Sequence, residues 1–459
     1  MGSSVMVITR AGAGGLDLNR LSLGGSIGVL FVVRVVVEGV REVSGEVSPP
    51  PSKSGSHRAL LAAALCEGET VLRNVLEADD VRATVGLCRA LGAGLEVEGE
   101  GRWVVRVSGF GGEPGVPGDV VDCGNSGTTL RLGCGVAGLV EGRVVLTGDR
   151  SLRSRPVGDL LAALRSLGVE AWGRVREGEE FPPVVVSGRP FRERVAVYGD
   201  VSSQFVSALL FLGAGLGGLR VDVVGGLRSR PYVGLTVEVL EAFGVSVEWE
   251  GSSFVVEGRP GSPGEFRVEN DWSSAGYFVA LGAIGGEVWV RGVDLDSSHP
   301  DRRVVEIVEE MGAVVRERGD GVVVRSSGSL EGVEVDLSDA PDLVPTVAAL
   351  GCFAEGVTRI VNVGHVRFKE VDRLRALAEE LPRFGVEVRE GRDWLEVRGG
   401  EPVGARVSSR GDHRMAMALA VVGAFARGET VIEGAEAVSV SYPGFWEDLA
   451  SVGVRVRSG

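Results

Sequence analysis

The sequence predicts an α/β protein of two domains, each assembled from three copies of one unit. Three observations carry that reading. A short Ala/Leu/Val-rich helix, a glycine turn and a β-branched strand recur six times along the chain. A second, amphipathic helix follows in each copy and stops at a glycine: Gly92, Gly168, Gly244, Gly312, Gly385 and Gly453, at spacings of 76, 76, 68, 73 and 68. The length of 459 residues exceeds what one hydrophobic core serves, so the six copies divide into two groups of three.

The elements follow in order. Residues 1–32 are Gly/Ser-rich and weakly patterned; a transit segment is one reading, which their two basic residues, Arg10 and Arg20, disfavour. They are expected to be a disordered extension, or to follow from a start codon assigned too far upstream, with the native protein beginning near Val32 or Val33. The run "IGVLFVVRVVV" is broken by Arg34 and reads as a β-strand rather than a membrane span. Six segments then carry the first helix of each copy. They are "SKSGSHRALLAAALCEGETVLRNV", "GNSGTTLRLGCGVAGLVEGRVVLTG", "VSSQFVSALLFLGAGLGGLRVDVVG", "DWSSAGYFVALGAIGGEVWVRGV", "DAPDLVPTVAALGCFAEGVTRIVNV" and "GDHRMAMALAVVGAFARGETVIEG". Ser54, Ser126, Ser202, Ser273 and Asp412 suit the helix starts. The second helices include "RPVGDLLAALRSLG", "PYVGLTVEVLEAFG" and "RLRALAEELPRFG". The unit is therefore β-α-β-α-β-β, and "GRPGSPGEF" at 258–266 separates the third copy from the fourth.

Composition excludes several functions. A net charge of -15 argues against a general nucleic-acid binder, which carries a basic face. It leaves room for anionic ligands, since the local field in a cleft outweighs net charge. Cys66, Cys88, Cys123, Cys134 and Cys352 form no C-x-x-C pair, and the four histidines stand apart from them in sequence. Neither a metal site nor a disulfide framework is expected, and the cysteines read as small buried thiols of a reduced cytoplasm.

A helix N-terminus leaves N–H groups unpaired and carries partial positive charge, which makes it an anion site. Two domains facing one another could aim several such ends at one cleft. Cations cluster near them: Lys53 and Arg58 beside the first helix start, Arg131 on the second helix, and Arg155 beginning the helix after "GDRSLRSRP". Arg228 and Arg230, then Arg367, Lys369 and Arg373, then Arg410 and Arg414 continue the set. Lysine occurs only at Lys53 and Lys369 among 48 basic residues. Lysine is a compact ammonium whose pKa falls when it is buried, whereas arginine keeps its proton, so these two positions suggest a small or proton-exchanging cation. Asp342 and Glu370 stand among cations and apolar residues and suit a general acid or base. A helix cap for Asp342 and an ion pair with Arg373 for Glu370 are the plainer readings. His413, Gln204 and Tyr232 are candidate hydrogen-bonding groups, and His57 and His299 receive no assignment.

The chain resembles the 5-enolpyruvylshikimate-3-phosphate synthase family from about residue 33 to its end. "PPSKSGSHRALLAAAL", "GNSGTTLRL", "GDRSLRSRPVGDL", "VSSQFVSALL", "RPYVGLTVEVL", "FKEVDRL" and "GDHRMAMAL" carry the resemblance, in that order. It implies a two-domain inside-out α/β barrel fold with near-threefold symmetry in each domain. Residues 51–271 are then one domain, and a first strand at about 33–50 joins 272–459 in the other. The implied reaction transfers the enolpyruvyl group of phosphoenolpyruvate to the 5-hydroxyl of shikimate 3-phosphate through a tetrahedral ketal. No metal or organic cofactor is implied, and the protein is expected to act as a cytoplasmic monomer on small anionic substrates, without nucleic acid or membrane. Shikimate 3-phosphate binding is carried onto Lys53, Ser54, Arg58, Ser202, Ser203, Gln204, Ser229, Asp342 and Lys369. Phosphoenolpyruvate binding falls on Lys53, Asn125, Gly127, Arg155, Gln204, Arg373 and Arg414. Glu370 is implied as the acid that protonates the methylene carbon, Asp342 as base or intermediate stabiliser, and Lys53 and Lys369 as catalytic cations.

Three positions depart from part of the family. Val440 replaces a lysine, Leu132 stands where many members have proline, and His365 where some have asparagine. Gly127 leaves room beside phosphoenolpyruvate, which implies sensitivity to the analogue glyphosate. The related UDP-N-acetylglucosamine enolpyruvyl transferases resemble the chain less, because "LTGDRSLRSRP" lacks their loop cysteine. A non-catalytic anion binder on the same scaffold would have no need of Lys53, Asp342, Lys369 and Glu370 together.

Overall fold

Helices that are apolar on every face must be buried on every face. The computed structural model describes residues 33–459, and it places such helices at the centres of two separate hydrophobic cores. One core holds Lys53–Leu65, Gly127–Ala137 and Ser203–Leu216. The other holds Trp272–Gly285, Val344–Gly351 and His413–Phe425. Burying a Leu or Val side chain contributes about 1.5–3 kcal/mol, and within these helices Ala59–Leu65 and Phe205–Leu212 are buried without a break.

Among the described residues six four-stranded sheets cover the two cores, all built on one pattern. Arg194–Tyr198 runs parallel to Gly218–Val224, which is antiparallel to Ser253–Glu257, itself antiparallel to Ser246–Glu250. The parallel pair is bridged by the core helix Ser203–Leu216, and the amphipathic helix Arg230–Ala242 leads into the hairpin. This is the β-α-β-α-β-β unit, with three copies around each core. All six repeat glycines, from Gly92 to Gly453, have φ between 81° and 103°. That region is open to glycine at little cost and ends each amphipathic helix.

Three units borrow a strand from elsewhere in the chain. Glu265–Arg267 completes the first unit by pairing parallel with Glu69–Leu76. Val43–Val47 pairs parallel with Gly286–Arg291 in the fourth. Arg34–Glu38 lies between Glu429–Glu433 and Arg455–Ser458 in the sixth. The stretch expected to be one first strand at 33–50 is thus two strands in two sheets. The chain turns at Gly39, where an added Cβ would stand 1.8 Å from the Ala426 carbonyl oxygen.

The chain passes between the cores twice, and the two passages lie side by side. Ser52 N donates to Glu269 O and Asp271 N to Pro50 O, each at 2.8 Å. Arg102 ties them together, donating to Asn74 Oδ1, Asn270 Oδ1 and Pro49 O, all at 2.8 Å.

Close helix packing in the first core rests on Gly135. A Cβ there would meet Ala208 O of the neighbouring helix at 2.1 Å, a backbone atom that cannot swing aside. At Gly244 an added Cβ meets nothing within 4 Å, and only its φ of 81° resists substitution. Gly244→Ala is expected to cost about 1–2 kcal/mol. Gly135→Ala costs more than Gly244→Ala because two backbones must part. Urea unfolding of the two variants checks this order.

Candidate active site

The helix starts of both cores open onto one cleft between them. Its walls carry eight cations, Lys53, Arg58, Arg131, Arg155, Arg228, Lys369, Arg373 and Arg414, against three carboxylates, Asp80, Asp342 and Glu370. A chain of net charge -15 therefore concentrates positive charge at this one place. Low-dielectric walls strengthen such a field and favour anions.

The caps place the first group. Ser52 and Asp271 cap their helices, two residues before the expected Ser54 and Ser273, while Ser126, Ser202 and Asp412 cap as expected. In "SKS" and "DWSS" more than one residue can accept from the helix end, and the earlier one does. Lys53 is thereby the first helical residue, its Nζ 3.0 Å from Asp80 Oδ2. Burial pushes the Asp80 carboxyl up against the pull of Lys53. Arg58, one turn further, donates to Thr236 Oγ1, Ser54 O and Tyr232 O at 2.8–2.9 Å. Ser202 accepts from Gln204 N. The Gln204 amide then links Arg131 Nη1, at 2.8 Å, to Thr128 Oγ1, at 3.0 Å. Ser229 has a φ of 52° before Pro231 and donates its N–H to Ser338 O of the other core at 3.1 Å.

The second core supplies the other two carboxylates, Asp342 and Glu370. Arg373, 1% exposed, is the first residue of the helix Arg373–Glu380. Its guanidinium donates to Asp342 Oδ1 at 2.8 Å, Glu370 Oε2 at 2.7 Å and Asp412 Oδ2 at 2.8 Å. Asp342 also meets Arg414 Nη2 at 2.8 Å and Lys369 Nζ at 3.3 Å. Burial drives the Asp342 carboxyl up, but Arg414, Lys369 and Arg373 outweigh it and hold it well below the usual range. Glu370 is likewise pushed up by burial and pulled well below its ordinary value by Arg373 and Arg155, the latter 3.8 Å away. Burial lowers the Lys369 ammonium despite Asp342.

All the site residues implied by the family resemblance line the cleft except Asn125, which stands just behind it; Tyr232 also lines it, whereas His413 is buried outside it. Asn125 Oδ1 accepts from Arg155 Nη2 at 2.8 Å and its Nδ2 donates to Asp149 Oδ2 at 2.6 Å, so it aims Arg155. Arg155 does not begin a helix: it follows the short turn Leu152–Ser154, and the helix starts at Gly158 because Pro156 interrupts. Three of the expected cations face elsewhere. Arg230 lies 4.2 Å over the Trp249 ring, Arg367 is taken by Asp372 and Glu390, and Arg410 by Glu379 and Glu380. Asp342 caps no helix, and the Glu370–Arg373 ion pair is present. Asp80 carries no sequence signal of its own: "EADDVRAT" looks like the first turn of a helix, which it also is. Of the departing positions, His365 lines the cleft, its imidazole pushed down to about 4 by burial, Lys369 and Arg228. Leu132 is packed in the first core, and Val440 stands outside the cleft beside Ser439, whose Oγ donates to Asp79 of the other core at 2.7 Å. The five cysteines are buried. Among the described residues no group of His, Cys, Asp and Glu is placed to hold a metal ion, and no helix is long and apolar enough to cross a membrane.

A cleft lined with cations, a lysine at a helix start and two carboxylates sharing one guanidinium suits a reaction between two anions. The family model of EPSP synthase (3-phosphoshikimate 1-carboxyvinyltransferase) matches residues 37–449. The chain belongs to the EPSP synthase family. A 3-phosphoshikimate 1-carboxyvinyltransferase of Methanopyrus kandleri is 78% identical over 425 residues, covering 93% of this chain and 99% of that protein. Another, of Halobacterium salinarum, is 47% identical over 90% of this chain and 97% of that protein. A solved EPSP synthase of Acinetobacter baumannii has a TM-score of 0.77 at 27% identity, covering 93% of this chain and 100% of that one. The chain is an enolpyruvyl transferase of the shikimate pathway, which leads to aromatic amino acids. It moves the enolpyruvyl group of phosphoenolpyruvate onto the 5-hydroxyl of shikimate 3-phosphate and releases phosphate. The two-domain inside-out α/β fold is that of the EPSP synthases.

Arg373 is the electrostatic keystone of this site. Arg373→Ala leaves Asp342, Glu370 and Asp412 with one buried cation fewer, and is expected to destabilise the protein by about 3–5 kcal/mol. Chemical denaturation of the variant beside the parent checks it.

Proposed function

We propose that Asp342 takes the proton of the 5-hydroxyl and Glu370 delivers one to the methylene carbon. One observation carries this reading: both carboxylates are held by the same Arg373 guanidinium, at 2.8 and 2.7 Å, on the wall of one cleft. An addition needs a base and an acid on fixed, neighbouring positions. Lys53, Ser54, Arg58, Ser202, Ser203, Gln204, Ser229 and Lys369 take shikimate 3-phosphate. Lys53, Gly127, Arg155, Gln204, Arg373 and Arg414 take phosphoenolpyruvate, with Asn125 aiming Arg155. These cations stabilise charge as it moves during addition and elimination. Residues 51–271 form one domain and residues 33–50 with 272–459 the other, which agrees with the membership of the two cores. Residues 1–32, read as an extension or mis-assigned start, lie outside the described residues. The protein works as a monomer in the cytoplasm.

A phosphate-release assay with phosphoenolpyruvate, offering shikimate 3-phosphate and UDP-N-acetylglucosamine separately, tests substrate choice. Turnover with shikimate 3-phosphate alone is expected, and glyphosate competes with phosphoenolpyruvate in the same assay, because Gly127 leaves the space beside Arg155 and Arg131 open. Turnover confined to the UDP-sugar overturns the reading.

The charge state of Glu370 yields a second expectation. Its pKa is depressed by Arg373 and Arg155, so it is ionised in the free protein. Substrate phosphate and carboxylate groups draw on the same cations, and the Glu370 pKa rises. Glu370 therefore takes up protons on binding, so the parent takes up more than Glu370→Gln does, and the difference is larger at about pH 5.5 than at about pH 8. Calorimetric titrations of both in buffers of different ionisation enthalpy measure this; an equal proton balance in parent and variant would contradict it.

A further inference from the structure

Near Asp342 lies a second carboxylate, linked to it through one hydroxyl. Asp301, in the short turn Pro300–Arg303, is wholly buried. Ser273 Oγ donates to Asp301 Oδ2 at 2.5 Å. The Tyr232 hydroxyl reaches in from the other core. It stands 3.4 Å from Asp301 Oδ1, 3.3 Å from Asp301 Oδ2 and 3.4 Å from Asp342 Oδ2. A phenol has one proton to donate, and here it faces two carboxylates. Rotation of one C–O bond switches the recipient. The Tyr232 ring is held for this by an edge contact with the His299 ring, 6.0 Å between centroids.

The two carboxylates have opposite surroundings. Asp342 touches Arg373, Arg414 and Lys369. Among the described residues Asp301 makes no ion pair. Its neighbours are Ser273, Tyr232, the Asp342 carboxylate, and His299, whose Nδ1 accepts from Asp301 N at 3.2 Å. His299 in turn lies 3.6 Å from Asp271, and Arg414 acts on Asp301 from beyond Asp342. Burial pushes the Asp301 carboxyl up, aided by Asp342 and opposed by His299 and Arg414. Asp342 alone is a poor base, and Asp301 is a better resting place for a proton.

We propose that Tyr232 and Asp301 form a proton relay behind Asp342, in which Asp301 holds the substrate hydroxyl proton while the tetrahedral intermediate exists. In the addition the 5-O–H bond breaks and its proton passes to Asp342. Asp342 protonates the Tyr232 oxygen as Tyr232 gives its own proton to Asp301. The freed oxygen pair forms the new C–O bond, and Glu370 supplies the proton of the new C–H bond. In the elimination the methyl returns a proton to Glu370 and the C–O bond to phosphate breaks. The Asp301 proton travels back through Tyr232 and Asp342 and leaves with phosphate. Asp301 touches no substrate and acts through the other two. The relay rests on the reading of Asp342 as the group that takes the hydroxyl proton.

Steady-state phosphate release over a range of pH with Asp301→Asn, Tyr232→Phe, their double variant and Asp342→Asn tests it. Asp301→Asn and Tyr232→Phe are each expected to lower kcat about 10- to 100-fold, with KM for both substrates within about 3-fold of the parent. The acidic limb of the kcat profile moves to lower pH in both, because Asp342 then works without Asp301. The double variant is no slower than the slower single one, since the relay is broken once. Superimposable pH profiles, a change in KM alone, or losses that multiply in the double variant overturn the relay. If Asp301→Asn does not fold, Tyr232→Phe decides by the same profile, since it removes one oxygen atom. Parent-like turnover of Asp342→Asn removes the base assignment itself. An inactive Asp342→Asn beside unaltered Asp301→Asn and Tyr232→Phe removes only the relay.

Discussion

Crowding cations into one partly buried cleft is the constraint on which the rest of the structure depends. Like charges a few ångströms apart repel strongly where water is scarce, and eight line this cleft. The fold meets the problem with carboxylates and with carbonyl and amide oxygens placed between them. Arg373 is satisfied by three carboxylates, Arg58 by three oxygens of its own core, and Arg155 by Asn125 and Ser151. Each cation is thus positioned before any ligand arrives. Substrate anions then enter a site whose donors are already oriented, so little reorganisation accompanies the reaction.

The distribution of lysine follows from the same constraint. A guanidinium can serve two or three acceptors at once and is fixed by them, as Arg58 and Arg373 are. An ammonium is a point charge that can hold one carboxylate and still turn. Lys53 has Asp80 and Lys369 has Asp342. Both sit on the cleft wall, each beside a single carboxylate. Arginine fills the structural cationic positions, including Arg102 at the paired passages between domains.

The repeating unit was legible because its signals are local: an apolar run, a helix-ending glycine, a β-branched strand. Most of the cleft was legible too, through the family motifs. What could not be read were choices between neighbours and partners far apart in sequence. Ser52 against Ser54, and Asp271 against Ser273, differ by half a helical turn, and either suits a cap. Arg230, Arg367 and Arg410 have suitable neighbours in sequence, but the backbone turns them toward Trp249, Glu390 and Glu380. Asp301 meets Tyr232 and Asp342 only because two domains close on one another, and no local pattern records that meeting. The separation of Arg34–Glu38 from Val43–Val47 likewise depends on strands more than two hundred residues away.

That strand exchange bears on how the polypeptide is made. Arg34–Glu38 leaves the ribosome among the first segments of the described chain, yet its two sheet neighbours are among the last. Its backbone N–H and C=O groups wait, unpaired, through nearly the whole of translation, while the domain of the first three units has all its strands once Glu265–Arg267 is out. One half of the molecule can therefore fold during synthesis, and the other can close only at termination. Until then Arg34–Glu38 is a β-segment without its partners, so a product stalled late in the message carries a completed first domain beside an unpaired, aggregation-prone strand.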